Sequence, residues 1–159
     1  MTENKTFLWK LIEAGGIYYS LKGSTVQEVL NELINIIHPG KSIEKETLLK
    51  TILEREALMS TSIGNGIALP HSRNPIITND ENQFCVLAFL EQEVDWNALD
   101  NKKVNTLILI VSSSAKHHLK TLSTITFFSR QEDFLKLLEQ RASREAIIRY
   151  IKDTEEKWK

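Results

Sequence analysis

The sequence predicts an α/β fold in which a mixed β-sheet carries helices on both faces. Two short segments, residues 84–90 and 104–111, are apolar throughout, as is typical of central strands that are covered on both faces. Amphipathic stretches with apolar residues at helical spacing lie before and after these segments. Strands and helices in this order favour a layered arrangement with a mixed sheet.

Length and charge limit the classes of protein to consider. The 159 residues suit a single domain over residues 1–159 that can bury a substantial core. Twenty Lys and Arg against 21 Asp and Glu give a net charge of −1, and both signs are scattered, so nucleic-acid binding is poorly supported. No apolar run approaches the roughly 20 residues of a membrane span, and residues 1–5 lack the apolar core of a secretory signal. We therefore expect a cytoplasmic protein without membrane insertion.

The first third of the chain is predicted to form three helices and one strand. Gly15-Gly16 separates the first helix from a β-prone stretch, and Pro39-Gly40 ends the second helix. The predicted elements are a helix at 6–12, a strand at 17–19, a helix that Ser24 and Gln27 open as a capping box, and a helix from about Ser42 to Ala57.

The chain after the second central strand is predicted to be helical. Ser112-Ser113-Ser114 can cap a helix that places His118, Leu122 and Ile125 on one face. The neighbouring His117 is expected to be solvated. A last helix is predicted at residues 143–151, followed by a charged tail at 152–159 that we expect to be frayed.

Residues 60–73 combine turn residues, a short apolar run and one histidine. Gly64-Asn65-Gly66 tolerates positive φ and predicts a tight turn into a buried strand at residues 67–69. Pro70 lacks a backbone donor and ends strand pairing, so His71 should lie at a strand end. Small neighbours leave room for a partner's reactive group, and a neutral imidazole is a nucleophile. A histidine after proline is also often a simple turn residue, so chemistry alone leaves both interpretations open.

This stretch resembles the active-site signature of the fructose and mannitol type of enzyme IIA domain, from the bacterial phosphoenolpyruvate:sugar phosphotransferase system. The resemblance runs from Glu54-Arg55-Glu56 through Ser60-Thr61 to the pattern Gly64-x-Gly66-x-Ala68-x-Pro70-His71. It continues in residues 94–100 and in His118-Leu119, so it covers nearly the whole chain and implies the enzyme IIA fold. In that family, the histidine after the proline takes phosphate from a histidine-containing phosphocarrier protein.

The resemblance also implies roles for four side chains. His71 would be phosphorylated on Nε2, with its Nδ1–H held by a backbone carbonyl. His118 matches the family's second active-site histidine and would support the phosphate. Arg55 could supply a planar charged fork and Thr61 a hydroxyl, although Arg55 could equally be a helix-end residue paired with a neighbouring glutamate.

Three further residues are candidates for docking partner proteins. Arg73 follows the predicted site closely and could contact the carrier protein, although a solvated charge is an equally good interpretation. Ile67 and Leu69 could be covered by the apolar surface of a target protein, which would then have to desolvate a phosphate on His71.

Other kinds of site are poorly supported. His71, His118 and Cys85 could in principle bind a metal, but none has a second ligand at a chelating spacing, and Cys85 lies in an apolar strand where a buried thiol is expected. The chain lacks the serine-hydrolase elbow and the complete nucleotide-phosphate loop. We therefore expect neither a metal nor a cofactor.

Three functions remain open at this stage. In the first, as in nitrogen-regulatory members of the family, phosphorylation of His71 switches contacts with target proteins. In the second, phosphate passes from His71 to a sugar-specific IIB partner. No segment resembles a IIB domain or a membrane IIC domain, so we expect a free-standing protein and favour regulation. The third is a binding module that has lost the chemistry, against which His71, His118, Arg55 and Thr61 argue.

Overall fold

A mixed β-sheet lies at the centre of the structure, a computed structural model that describes residues 6–158. Within these residues the sheet has five strands in the order β1-β4-β5-β3-β2. The strands are β1 (Ile17–Leu21), β2 (Ser62–Gly64), β3 (Ile67–Ala68), β4 (Phe84–Val94) and β5 (Val104–Val111). β1 runs parallel to β4 and β3 parallel to β5, whereas the β4–β5 and β2–β3 pairs are antiparallel. The prediction of a mixed sheet is confirmed.

Helices cover both faces of this sheet, as the sequence predicts. Between residues 6 and 158 the helices are α1 (Leu8–Gly15), α2 (Val26–Ile36), α3 (Lys45–Leu58), α4 (Ala115–Phe128), α5 (Glu132–Glu139) and α6 (Arg144–Glu156), with a short 3-10 helix at Asp80–Asn82. Val86 and Ala88 of β4 pack on the side of α2 and α3. Leu87 and Phe89 pack on the side of α1, α4, α5 and α6. This alternation follows from the two-residue period of a strand.

The two central strands match the apolar segments in the sequence, with one extension. β5 has the predicted bounds, but β4 continues beyond residue 90 to Val94. Residues 91–93 of this extension are exposed and polar. The apolar run therefore marks the covered part of β4 and not its full length.

Two helices begin later than the sequence predicts. The side chain of Thr25, and not that of Ser24, caps α2 by accepting a hydrogen bond from the Glu28 N–H at 3.1 Å. The Glu28 carboxylate reaches back to the Ser24 N–H at 2.8 Å, so the capping box is shifted by one residue. α3 begins at Lys45 and not near Ser42, because residues 40–43 form a turn that a backbone hydrogen bond closes.

The prediction that the charged C-terminal tail is frayed is wrong for the residues that the structure describes. The side chain of Glu155, on α6, is only 4% exposed. Its carboxylate accepts hydrogen bonds from the Leu8 N–H at 2.8 Å and the Trp9 N–H at 2.9 Å. The ring of Trp158 packs edge-on against Phe127 with the ring centroids 4.6 Å apart. The C-terminal helix is thus tied to the start of α1.

Within residues 6–158, every helix is too short or too polar to cross a membrane. Residues 1–5, which bear on a secretory signal, and Lys159 at the end of the tail lie outside the described residues.

Candidate active site

A tight turn and a proline place His71 at the end of a strand. Gly64, Asn65 and Gly66 have φ values of 89°, 56° and 78°, so the predicted positive-φ turn joins β2 to β3. After β3, the carbonyl of Pro70 accepts a hydrogen bond from the β5 backbone at 3.0 Å. His71 then makes one isolated bridge to β5 and leaves the sheet. Its ring lies beyond the regular hydrogen-bonded ladder.

The end of the neighbouring strand brings His118 to the same place. β5 ends at Val111, and Ser114 caps α4 by accepting a hydrogen bond from the His117 N–H at 3.2 Å. Because β3 and β5 are parallel, their carboxyl ends meet at one edge of the sheet. The ring centroids of His71 and His118 are 4.5 Å apart. The structure therefore brings together two histidines that are 47 residues apart in the chain.

The His71 ring is held in one tautomer. Its Nδ1 lies 2.8 Å from the carbonyl oxygen of Leu69, which can only accept, so Nδ1 carries the proton and Nε2 carries the lone pair. Within residues 6–158, Nε2 has no hydrogen-bond partner. Burial lowers the pKa of His71, and the Arg55 charge lowers this pKa further, whereas the hydrogen bond to Leu69 and the Glu56 charge act in the opposite direction. The ring is therefore a neutral nucleophile at pH 7.

His118 is also neutral at physiological pH. Burial lowers its pKa to about 4, and the proximity of His71 and the Arg55 charge act in the same direction. In the part of the chain that the structure describes, neither ring nitrogen of His118 has a hydrogen-bond partner. The ring is thus available to bind a new group beside His71.

Both rings line an open pocket of about 250 Å³. Ser112, which precedes α4, and Ala115, its first residue, also line this pocket. Leu119 also lines the pocket and is 66% exposed. The pocket beside the two histidines is therefore lined by both polar and apolar side chains.

Arg55 acts on both histidines from the end of α3. Its guanidinium lowers the pKa of His71 and of His118, so its charge reaches the site. Its Nη1 donates a hydrogen bond to the Met59 carbonyl at 2.7 Å. Between residues 6 and 158, no ion pair joins Arg55 to a neighbouring glutamate. Arg55 therefore makes a hydrogen bond at the end of α3, and its charge also affects the protonation of both histidines.

The Thr61 hydroxyl is already occupied. Thr61 is buried, and its Oγ1 donates a hydrogen bond to Oε1 of Glu56 at 2.6 Å. The hydroxyl proton of Thr61 is therefore already donated to Glu56. This contact links the residue before β2 to the end of α3.

Glu56 is a part of the site that the sequence analysis did not single out. Oε2 accepts from the Thr61 N–H at 2.7 Å, and Oε1 accepts from both the Thr61 hydroxyl and the indole Nε1–H of Trp96, the latter at 2.9 Å. Glu56 follows Arg55 within the signature, but its partner Trp96 lies 40 residues away in the chain. The only signal in the sequence was the Glu-Arg-Glu run itself.

Comparison with known proteins identifies the family. The model for "Phosphoenolpyruvate-dependent sugar phosphotransferase system, EIIA 2" matches residues 10–154. The chain belongs to this family. The resemblance stated from the sequence is thereby confirmed.

Similar enzyme IIA proteins include both regulatory and sugar-transport members. The chain is 29% identical over 138 residues to the "Nitrogen regulatory protein" of Bradyrhizobium diazoefficiens, covering 86% of this chain and 87% of that protein. It is 27% identical over 132 residues to the "PTS system fructose-like EIIA component" of Escherichia coli, covering 81% and 87%. The crystal structure of nitrogen regulatory protein IIA-Ntr from Neisseria meningitidis has a TM-score of 0.78 at 20% identity, over 90% of this chain and 97% of that chain. This last likeness shows the shared fold.

Two predicted docking residues of this enzyme IIA chain are not on its surface. Ile67 is 1% exposed and Leu69 is 2% exposed, and both pack in the core on the side of α1 and α4. The reason is that β3 is an inner strand, between β5 and β2, so its apolar side chains point into a covered face. Arg73 is exposed and lines the pocket beside His71.

His117 is not simply solvated, as the sequence analysis expected. It is half-buried, and the Ser114 hydroxyl lies 2.8 Å from its Nδ1. Its Nε2 lies 3.7 Å from a carboxylate oxygen of Asp80. His117 therefore joins the first turn of α4 to the 3-10 helix.

Cys85 is a fully buried thiol on β4. Burial raises the pKa of this thiol, so it stays protonated and unreactive. Within residues 6–158, no three His, Cys, Asp or Glu side chains are grouped as a metal site requires.

Proposed function

We propose that the protein is a cytoplasmic phosphoryl carrier. It accepts a phosphoryl group on Nε2 of His71 from a histidine-containing phosphocarrier protein, and its phosphorylation state controls its binding to target proteins. One observation carries this proposal. The hydrogen bond from Nδ1 to the Leu69 carbonyl leaves the Nε2 lone pair free beside an open pocket, in a chain of the enzyme IIA family.

The transfer step requires a nucleophile in line with the leaving group and little further covalent chemistry. The Nε2 lone pair of His71 attacks the phosphorus of the carrier's phosphohistidine. The new N–P bond forms as the carrier's N–P bond breaks, and the carrier's ring leaves with the electron pair. The proton on Nδ1 of His71 stays where the Leu69 carbonyl holds it, so the step needs no separate base.

Two neighbouring side chains would stabilise the transferred group. A neutral His118 has free ring nitrogens beside His71 and can donate a hydrogen bond to a phosphoryl oxygen. Arg55 already exerts its charge on both rings, and its planar fork suits phosphoryl oxygens. Binding phosphate would then replace or add to its contact with the Met59 carbonyl.

The first test is direct labelling with phosphoenolpyruvate, enzyme I and a phosphocarrier protein. We expect an acid-labile, alkali-stable adduct on His71 and none on His71→Gln. His38→Gln is the matched control, because His38 is exposed and lies away from the pocket, and it should label like the unaltered protein. Undiminished labelling of His71→Gln would overturn the proposal.

Sugar transport is the second candidate function, because a fructose-like EIIA component is nearly as similar to this chain as the nitrogen regulatory protein. The two functions differ in where the phosphate goes. We expect phospho-His71 to persist when a fructose-type IIB protein is added, and a target protein to distinguish the two forms by affinity. Rapid loss of phosphate to the IIB protein, with target affinities that do not change on phosphorylation, would favour transport.

A further inference from the structure

The carboxylate of Glu56 is connected to the reactive ring through the backbone. Glu56 accepts a hydrogen bond from the Thr61 N–H at 2.7 Å. The Thr61 carbonyl in turn accepts one from the Leu69 N–H at 3.0 Å. The Leu69 carbonyl accepts the proton on Nδ1 of His71 at 2.8 Å. Three successive hydrogen bonds therefore join Glu56, at the end of α3, to the imidazole.

We propose that Glu56 is a positioning residue for phosphorylation of His71. By fixing Thr61, it fixes the carbonyl of Leu69, and that carbonyl keeps the His71 ring in the tautomer with a free Nε2. The inference rests on the proposed function, since the orientation of the ring matters to activity only if His71 accepts phosphate.

The contacts require a carboxylate at this position. Oε2 faces the Thr61 N–H and Oε1 faces the Trp96 Nε1–H, and both of these groups can only donate. An amide in place of the carboxylate must turn its own NH₂ toward one of them, whichever way it flips. Thr61 and Trp96 are both buried, whereas Glu56 is half-buried and borders an open pocket together with Trp96. Glu56→Gln therefore breaks at least one of these bonds while keeping the shape of the side chain.

Glu54 provides a control for the general loss of a negative charge from α3. Glu54 lies two residues earlier on α3 and is exposed. Within residues 6–158 it has no side-chain hydrogen bond or ion pair. Glu54→Gln removes the same charge from the same helix without touching Thr61 or Trp96.

The experiment uses phosphoramidate, a small donor that phosphorylates imidazole without a carrier protein. The donor's P–N bond breaks, the Nε2–P bond forms and ammonia leaves. We expect Glu56→Gln to label about tenfold to hundredfold more slowly than the unaltered protein, and Glu54→Gln to label at the normal rate. In ¹⁵N spectra of the unphosphorylated proteins, the His71 ring should carry its proton on Nδ1 in the unaltered protein and in Glu54→Gln. In Glu56→Gln a mixture of tautomers should appear.

The outcomes separate this inference from the proposed function. If the unaltered protein is labelled on His71 and Glu56→Gln shows the same rate and the same tautomer, the inference is wrong and the proposed function stands. If the unaltered protein takes no label from either phosphoramidate or the carrier protein, the proposed function fails. The ring spectra then still report whether Glu56 positions the imidazole.

Thr61→Val provides a second variant in case Glu56→Gln does not fold. It removes the hydroxyl that donates to Glu56 but keeps the Thr61 N–H and carbonyl in the connection. We expect slower labelling and some of the second tautomer, with smaller effects than in Glu56→Gln. A folded Thr61→Val protein with the normal rate and tautomer would contradict the inference.

Discussion

At the scale of single residues, the site depends on two imidazoles that resist protonation. Burial is the largest cause for both, and the positive charge of Arg55 adds to it. A nearby cation disfavours a second positive charge. Removing the Arg55 charge must therefore raise the pKa of each ring. Because its pKa is lowered, the His71 ring stays neutral, and so able to act as a nucleophile, below the pH at which an ordinary histidine protonates.

We predict that ring titrations followed by NMR will give a midpoint of about 4 for His118 and a midpoint below the ordinary histidine value for His71. Arg55→Met should raise both midpoints. Arg73→Met removes an equal charge from the exposed rim and serves as the control, for which we expect little change. Equal shifts in the two arginine variants would show that Arg55 has no special relation to the histidines.

At the scale of secondary-structure elements, the start of α1 is capped by a side chain from the other end of the chain. Within residues 6–158, Phe7 at the N-cap position of α1 supplies no side-chain hydrogen bond. Instead, the carboxylate of Glu155 accepts from the first two N–H groups of the helix. A carboxylate at a helix N-terminus also interacts favourably with the helix dipole. α6 therefore substitutes for a local cap.

We predict that Glu155→Ala lowers the free energy of unfolding by about 2 kcal/mol, because it leaves two N–H groups at the start of α1 without partners. Glu156→Ala is the matched control, since Glu156 is exposed on the same helix, and it should stay within about 0.5 kcal/mol of the unaltered protein. Urea denaturation measures both values. Equal stabilities for the two variants would show that this long-range cap contributes little.

At the scale of the whole molecule, the proposed function requires recognition of another protein as well as chemistry at His71. Leu119 lines the pocket and is largely exposed, so it offers apolar area beside the reactive ring. The chain has a net charge of −1, and a phosphoryl group adds nearly two negative charges, by analogy with other phosphorylated side chains. Phosphorylation of His71 would therefore change the charge of this face strongly.

We predict that Leu119→Asn slows phosphoryl transfer from the carrier protein by about tenfold, since it removes apolar area from the contact surface, and leaves labelling by phosphoramidate nearly unchanged. Leu99→Asn is the control, because Leu99 is fully exposed but does not line the pocket. It should leave both rates unchanged. A carrier-dependent rate that is normal in Leu119→Asn would place the docking surface elsewhere.

The sequence by itself determined those features that depend on neighbouring residues. The apolar segments became β4 and β5, the Gly64-Asn65-Gly66 turn led into β3, and Pro70 placed His71 at a strand end. Ser114 caps the helix that carries His118. These outcomes follow from backbone preferences and from the periodicity of apolar residues, which act over a few positions and can be read directly.

Only the tertiary structure decided which side chains have partners from distant parts of the chain. The hydrogen bond from the Leu8 N–H to Glu155 spans 147 positions, and that from Trp96 to Glu56 spans 40. Burial of Ile67 likewise depends on the position of β3 inside the sheet. The type of a residue does not by itself tell whether its side chain is exposed or buried in the folded protein. The contacts that enclose it form only when distant segments pack together, and it is this packing that gave Glu56 and Glu155 their structural roles.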